Sequence, residues 1–247
     1  MKKSNLRSGV LNINYELSSF LIGFSTVYTQ SFLTDEYKNW LGENEYDYYN
    51  TLKFEKRKLD FLRGRIAAKN AIAEIIEKVS PTLININAGV FKFPVVKGVS
   101  NIQISITHAE NFAVSIAFPD EHPIGIDLEK VDNAKMDVMK NVNLYDEIRL
   151  TDKANLAGPA GHTLLWTVKE SLSKILRTGL TINFGLLQVA TLNANDGYFL
   201  STFSNFHQYK AISYVINDYV FTVALPILSK VNLDPLINHL KETSLSN

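Results

Sequence analysis

Two short stretches carry the residue types that ligand chemistry needs. In Ile124–Lys130, Asp127 and Glu129 lie two apart within an apolar run. On a strand, residues two apart share a face, so both carboxylates project together. Two such carboxylates repel unless something positive lies between them. A hard cation with oxygen ligands answers that need, and Mg²⁺ leaves most of its positions to water and phosphate. The competing possibility is a solvated strand end. In Trp166–Lys174, W-T-V-K-E-S-L-S-K, Glu170 and Lys174 lie four apart. On a helix they stack on one face, with Trp166 one turn earlier on the same side. Leu164, Leu165, Val168, Leu172, Ile175 and Leu176 form the opposite, apolar stripe. Glu170 is therefore available as a third carboxylate. Otherwise it is half of a surface pair that stabilises the helix by about 0.2–0.5 kcal/mol.

His108 follows a predicted strand and is placed either to meet a phosphate oxygen, to act as a base, or to be an ordinary turn histidine. Lys56, Arg57, Lys58, Arg63, Arg65 and Lys69 crowd one predicted helix. A run of this kind is ordinarily a solvated face. Arg65 fits that poorly, because it falls on the apolar stripe with Phe61 and Ala68 and needs an anionic partner or a route to solvent. No Walker loop, dinucleotide-binding glycine fingerprint or nucleophile elbow occurs, and the five histidines show no zinc spacing.

The 247 residues suffice for one large domain or two small ones, and 46% of them are hydrophobic. The 25 basic and 25 acidic residues cancel, so no global field draws the chain to nucleic acid or an anionic membrane. Any anion site must be local. The absence of cysteine excludes disulfides, thiolate zinc sites and a cysteine nucleophile, and suits a cytoplasmic protein. Met1-Lys2-Lys3 resembles the start of a signal, but Asn12, Asn14, Glu16, Ser18 and Ser19 interrupt the apolar run that follows. No signal peptide and no membrane span are expected.

These groups need elements to hold them. A strand is expected over 20–29 and short helices over Ser31–Trp40 and Glu45–Leu52. A long helix is expected over Arg57–Val79, stopping before Pro81. Gln103–Thr107 and Phe112–Phe118 alternate as a hairpin, and Ile124–Leu128 reads as a strand. Helices near 135–147 and over Thr163–Arg177 precede a meander of Leu186–Leu192, Tyr198–Phe203, Tyr209–Ile216 and Tyr219–Leu225. The last residues read as a polar tail with one short helix. Two α+β halves, 1–119 and 120–247, are expected to meet near Pro119–Pro123, with no residue-level repeat visible between them.

Ile124–Lys130 followed by Trp166–Lys174 closely resembles the signature pair of the 4′-phosphopantetheinyl transferases, G-[IV]-D-[ILV]-E and W-x-x-K-E-[SA]-x-x-K. Ser105–His108 is similar to that family's [NS]-[IL]-[ST]-H segment, and Phe61–Lys69 to its F-L-x-G-R-x-x-x-[KR] segment. Gly179-Leu180 also fits, and the likeness spans residues 20–225. The length and layout look like the larger, Sfp-type members. The resemblance implies an α+β pseudo-dimer of two similar halves in one monomeric chain, each an antiparallel sheet on a long helix, with the site between them. It implies transfer of the 4′-phosphopantetheine arm of coenzyme A to a carrier-protein serine, acyl or peptidyl, with release of 3′,5′-ADP. By the same resemblance Asp127, Glu129 and Glu170 bind Mg²⁺, with Mn²⁺ as an alternative ion. Lys174 and His108 contact phosphate oxygens, and Thr107 lies beside the nucleotide. Lys56, Arg57 and Arg65 are candidates for the 3′-phosphate. Glu170 is the first choice to accept the serine proton, with Lys169 a possible assistant. The rival from another class is a degenerate member that binds coenzyme A or a carrier without turnover.

Two departures stand out. The family's Gly-Lys-Pro tripeptide is replaced by Phe91-Lys92-Phe93-Pro94, with the lysine one place early. A family acid in a Phe-Thr/Ser-x-x-Glu segment has no equivalent in Leu150–Ala154. Met136 and Met139, set among lysines after the metal strand, suggest an adaptable surface for a carrier helix, against the alternative of an ordinary amphipathic helix.

Overall fold

Secondary structure starts from alternation at the N-terminus. Leu11 and Ile13 are buried while Asn12 and Asn14 between them are exposed, the period of a half-buried strand. The asparagines that interrupt the apolar run are thus the outer face of β1 (Asn5–Tyr15), a strand not anticipated from the sequence. It pairs along its whole length with β2 (Ser18–Tyr28) across a turn at Glu16-Leu17. The structure, a computed structural model, describes residues 5–29, 39–77, 79–89 and 93–245. All of the helix expected over Ser31–Trp40 except its last two residues, and Lys92 of the departing tripeptide, lie outside the described residues.

The chain divides into two compact units. The first comprises Met1–His122 and Ser229–Asn247, and the second Pro123–Leu228. The first boundary falls close to the expected one. The tail departs from expectation, since residues from Ser229 on belong with the first unit rather than the second. The reason is local: β12 (Lys230–Val231) pairs with β1, and the helix Asp234–Leu245 packs on β1 and β2.

In the first unit, helices α1 (Glu43–Thr51) and α2 (Glu55–Ala73) follow β2. A small β3–β4 ladder (Asn85–Ala88, Pro94–Lys97) precedes the hairpin β5 (Ile102–Ala109) and β6 (Phe112–Pro119). The sheet order is β12-β1-β2-β6-β5, antiparallel throughout, with α2 packed across it. Ala67, Ala68 and Ala71 are fully buried, so the helix backbone lies close to the sheet. At Gly23 a Cβ would stand 1.9 Å from the Ala71 carbonyl oxygen, which is why that strand position has no side chain. The helix ends at Ala73, short of the expected Val79.

In the second unit, β7 (Gly125–Lys130) leads to helices α3 (Met136–Val142), α4 (Tyr145–Lys153) and α5 (Pro159–Ile175). The strands β8 (Val189–Asn195), β9 (Tyr198–Phe203), β10 (Tyr209–Ile216) and β11 (Tyr219–Pro226) follow as the expected meander. The order is β7-β11-β10-β9-β8. Helix α5 packs on it through Leu164, Leu165, Val168 and Leu172, all fully buried as the stripe predicts. It begins four residues before the expected Thr163, because Gly158 at φ 73° turns the chain and Pro159 opens the helix. At Gly125 a Cβ would stand 1.9 Å from the Ser171 carbonyl oxygen. The final helix of the chain is α6 (Asp234–Leu245).

The fold is α+β, with two similar halves. In each, one strand, β2 or β7, comes before the long helix, and a later hairpin returns its last strand antiparallel beside it, β6 on β2 and β11 on β7. A residue-level repeat, invisible along the sequence, is present after all. Glu45 Oε2 accepts from Gly42 N at 2.9 Å and Lys69 Nζ at 2.6 Å, its Oε1 accepts from Ile86 N at 3.3 Å, and Lys69 also donates to Trp40 O. Glu147 Oε2 accepts from Leu144 N at 2.7 Å and Lys169 Nζ at 2.6 Å, its Oε1 accepts from Val189 N at 2.8 Å, and Lys169 also donates to Val142 O. Among the described residues no helix is long and apolar enough to cross a membrane.

Candidate active site

Gly125 faces α5, and the two-residue period of β7 puts Asp127 and Glu129 on that same face. The cross-strand partners are Thr222 for Asp127 and Val220 for Glu129. From α5, Lys174 Nζ reaches Asp127 Oδ1 at 2.8 Å and the Ile126 carbonyl at 2.7 Å. Lys174 thus hydrogen-bonds to the strand while its charge still acts on Glu170. Lys135, just before α3, donates to Glu129 Oε2 at 2.6 Å.

Burial is the main cause that pushes Glu170 up to about 7, and the nearby Asp127 and Glu129 charges add to it while Lys174 opposes. Burial likewise raises Glu129, again helped by Asp127 and opposed by Lys135. The three carboxylates therefore share one electrostatic neighbourhood. Among the described residues no three Asp, Glu or His side chains are drawn together around one ion position, since Asp127 and Glu129 turn to lysines. The donor chemistry nonetheless fits a hard divalent cation: all-oxygen, mutually repelling and already attracting ammonium groups.

Other motif residues sit elsewhere. Lys169, the neighbour of Glu170, is fully buried against Glu147, and burial lowers its pKa against the pull of that partner. It is held away from the carboxylate face. Glu147 is a buried acid downstream of β7, three residues before Leu150–Ala154. The sequence signal for it, as for Glu45, is a glutamate at the third position of a helix, where its carboxylate meets the capping N–H. Trp166 packs edge-on against Phe184 at 5.3 Å, on the core rather than the exposed face. Met139 is buried, with Thr163 Oγ1 3.8 Å from its sulfur, so it cannot form the expected adaptable surface; Met136 is half-buried and Val138 is exposed.

The first unit holds a pocket of about 630 Å³ lined by Lys56, Arg57, Arg65, His108, Phe61 and Tyr48, among others. Lys56 and Arg57 are exposed there. Arg65 finds the anionic partner its place on the apolar stripe demands: Nε lies 3.1 Å from Glu45 Oε1, and the guanidinium sits 4.5 Å above the Phe61 ring. Burial lowers its pKa and Glu45 opposes. Arg63, grouped by sequence with a solvated run, is buried, as is Lys69. His108 lies at the end of β5 and is half exposed, its Nε2 3.9 Å from Asp60 Oδ2. The hairpin turn is only Glu110-Asn111, tighter than expected, with Glu110 at φ 51°. Thr107 is buried and falls on the opposite face of β5 from pocket-lining Ile106 and His108.

Residues 123–224, nearly the whole second unit, match the family model of the 4′-phosphopantetheinyl transferase superfamily. A holo-[acyl-carrier-protein] synthase of Mycoplasma mycoides subsp. mycoides SC is 40% identical over 80 residues, covering 31% of this chain and 71% of that protein. A crystal structure of a holo-(acyl-carrier-protein) synthase from Bacillus anthracis str. Ames, in complex with CoA (3′,5′-ADP), aligns with a TM-score of 0.36 at 24% identity, over 44% of this chain and 96% of that one. The chain belongs to the 4′-phosphopantetheinyl transferase superfamily.

Proposed function

We propose that the chain is an Sfp-type member that transfers the 4′-phosphopantetheine group of coenzyme A to a serine hydroxyl of an apo-carrier protein, acyl or peptidyl, and releases 3′,5′-ADP. The observation that carries this is the cluster of Asp127, Glu129, Glu170 and Lys174 on β7 and α5, inside the family-matched segment. Asp127, Glu129 and Glu170 are the residues to hold Mg²⁺, or Mn²⁺ in its place. Bound there, the ion would neutralise charge on the coenzyme A pyrophosphate and orient it for displacement.

The rest of the chemistry belongs to side chains. The serine oxygen attacks the β-phosphorus, and the bond from that phosphorus to the leaving 3′,5′-ADP oxygen breaks. The serine proton needs an acceptor within hydrogen-bond reach. Glu170 has that role. Lys174, fixed by Asp127 and the Ile126 carbonyl, supplies positive charge where charge develops on phosphate oxygens. In the first unit's pocket, Lys56, Arg57, Arg65 and His108 offer cations and donors for the nucleotide phosphates. Thr107 contributes through the strand that carries His108 rather than from the pocket wall.

A panel of apo-carriers incubated with coenzyme A and Mg²⁺, read by intact mass, tests the proposal. The expected result is one added phosphopantetheine on the carrier serine and matching 3′,5′-ADP. Tight coenzyme A binding with no labelled carrier in the panel would instead mark a member that binds without turnover.

A further inference from the structure

Asp60 lines the first unit's pocket beside Lys56, Arg57 and Arg65. An acid in such a place works against an anion unless its charge is compensated and used. Compensation comes from Arg63, one turn along α2, whose Nη1 donates to Asp60 Oδ1 at 3.1 Å. Arg63 is buried and does more than pair. Its Nη1 donates to the Glu110 carbonyl at 3.0 Å, and its Nη2 to the Thr29 carbonyl at 2.7 Å and Asn111 Oδ1 at 3.3 Å. One guanidinium thus ties α2 to the end of β2 and to the β5–β6 turn. That turn starts directly after His108-Ala109, so it sets where His108 stands. The other oxygen of Asp60, Oδ2, lies 3.9 Å from His108 Nε2. Contacts of this kind are often long without ligand and close when it binds.

We propose that Asp60, held in place by Arg63, is a positioning residue for His108, orienting its imidazole toward the anionic group this pocket takes. The inference rests on the assignment of the pocket to coenzyme A phosphates. A carboxylate that accepts from one ring nitrogen decides which nitrogen carries the proton and fixes the ring plane. Asp60 therefore acts through His108 and touches no reacting atom.

The test uses the full chain with coenzyme A as the probe. Asp60→Asn and His108→Ala are each expected to weaken coenzyme A binding about tenfold by calorimetry, the size of one charge-assisted contact. In the double variant the loss is expected to equal that of His108→Ala alone. Additive losses, or tighter binding by Asp60→Asn, would overturn the proposal. A ligand-free arm separates it from the pocket's assignment. Nitrogen NMR of the His108 ring is expected to show a changed tautomer balance in Asp60→Asn and its recovery in Asp60→Glu. An unchanged ring signal overturns the positioning role even where coenzyme A binds. A changed signal in a chain that binds no coenzyme A supports the role and sinks the pocket's assignment instead.

Discussion

The hydrogen bonds that join Glu45 and Lys69 in the first unit repeat those of Glu147 and Lys169 in the second, with Arg65 an added partner of Glu45 alone, and around these pairs the two units diverge. Gly23 and Gly125 set the register, each pressed on a helix carbonyl. Where β7 has Asp127 and Glu129, β2 has Ser25 and Val27. Where α5 has Glu170 and Lys174, α2 and its end have Asn70 and Glu74. Ser25 spends its hydroxyl on the Arg7 carbonyl and Asn70 its amide on the Ile66 carbonyl. The comparison separates two roles inside one motif. Lysine and glutamate at 169 and 170 are adjacent, yet a helix turns about 100° between them. The lysine recurs in a unit that has no carboxylate at the matching strand positions, so it belongs to the architecture. The glutamate does not recur, in keeping with the role in transfer proposed for it.

Stripping either buried lysine of its acid is the hardest blow to this comparison. Glu45→Ala and Glu147→Ala are each expected to cost about 3–5 kcal/mol by urea unfolding, because an uncompensated ammonium stays buried. Replacing both partners, Glu147→Leu with Lys169→Met, should recover most of that loss. A large cost in one unit and none in the other would break the equivalence. Next in size, Glu170→Gln is expected to slow transfer to an apo-carrier about 10²–10³-fold with the urea midpoint unchanged. Its counterpart Asn70→Ala should leave the transfer rate within about threefold, as a residue away from the reacting atoms does. Equal rate losses at 70 and 170 would erase the division between architecture and chemistry.

Smaller effects sharpen the same contrast. Gly23→Ala is expected to destabilise by about 1–3 kcal/mol, since the strand must back away from the Ala71 carbonyl. Gly125→Ala should cost a similar amount and also slow transfer, because it shifts β7 with its two carboxylates. Least of all, each unit holds a buried histidine whose pKa burial lowers, His122 and His162. His162 Nδ1 accepts from Asn143 Nδ2, a contact that protonation would remove. Above the unfolded value of about 6.5 neither form is penalised. As pH falls below it the unfolded chain takes up the proton first, so stability declines toward the lower folded pKa, by less than about 1.4 kcal/mol per pH unit per histidine. The urea midpoint of His162→Gln should fall less than that of the parent between pH 7 and 5.

Much of the second unit is legible along the chain. The stripe of Leu164, Leu165, Val168 and Leu172, the same-face pair Asp127 and Glu129, and the meander turns are local patterns, and locality is what periodicity records. β1 was hidden because Asn12 and Asn14 break up its apolar residues and its outer face mixes them with exposed Leu6 and Val10; only pairing with β2 reveals Leu11 and Ile13 as its inner face. Glu45, Glu147 and Asp60 escaped notice for a related reason. Each gains meaning from partners far away in sequence: Lys69, Lys169 and His108.

The sequence by itself determined the chemistry available: which strand and which helix bring carboxylates and ammonium groups, and what kind of ligand they suit. Only the tertiary structure decided which charged residues of those elements are free to use it. Arg63, Lys69 and Lys169 are as cationic on paper as the exposed Lys56 and Arg57. Burial binds the first three to fixed partners, because an ammonium or guanidinium taken from water must be compensated on the spot. The spacing of residues along a chain does not say which charges will be taken from water; the packing of helix on sheet does.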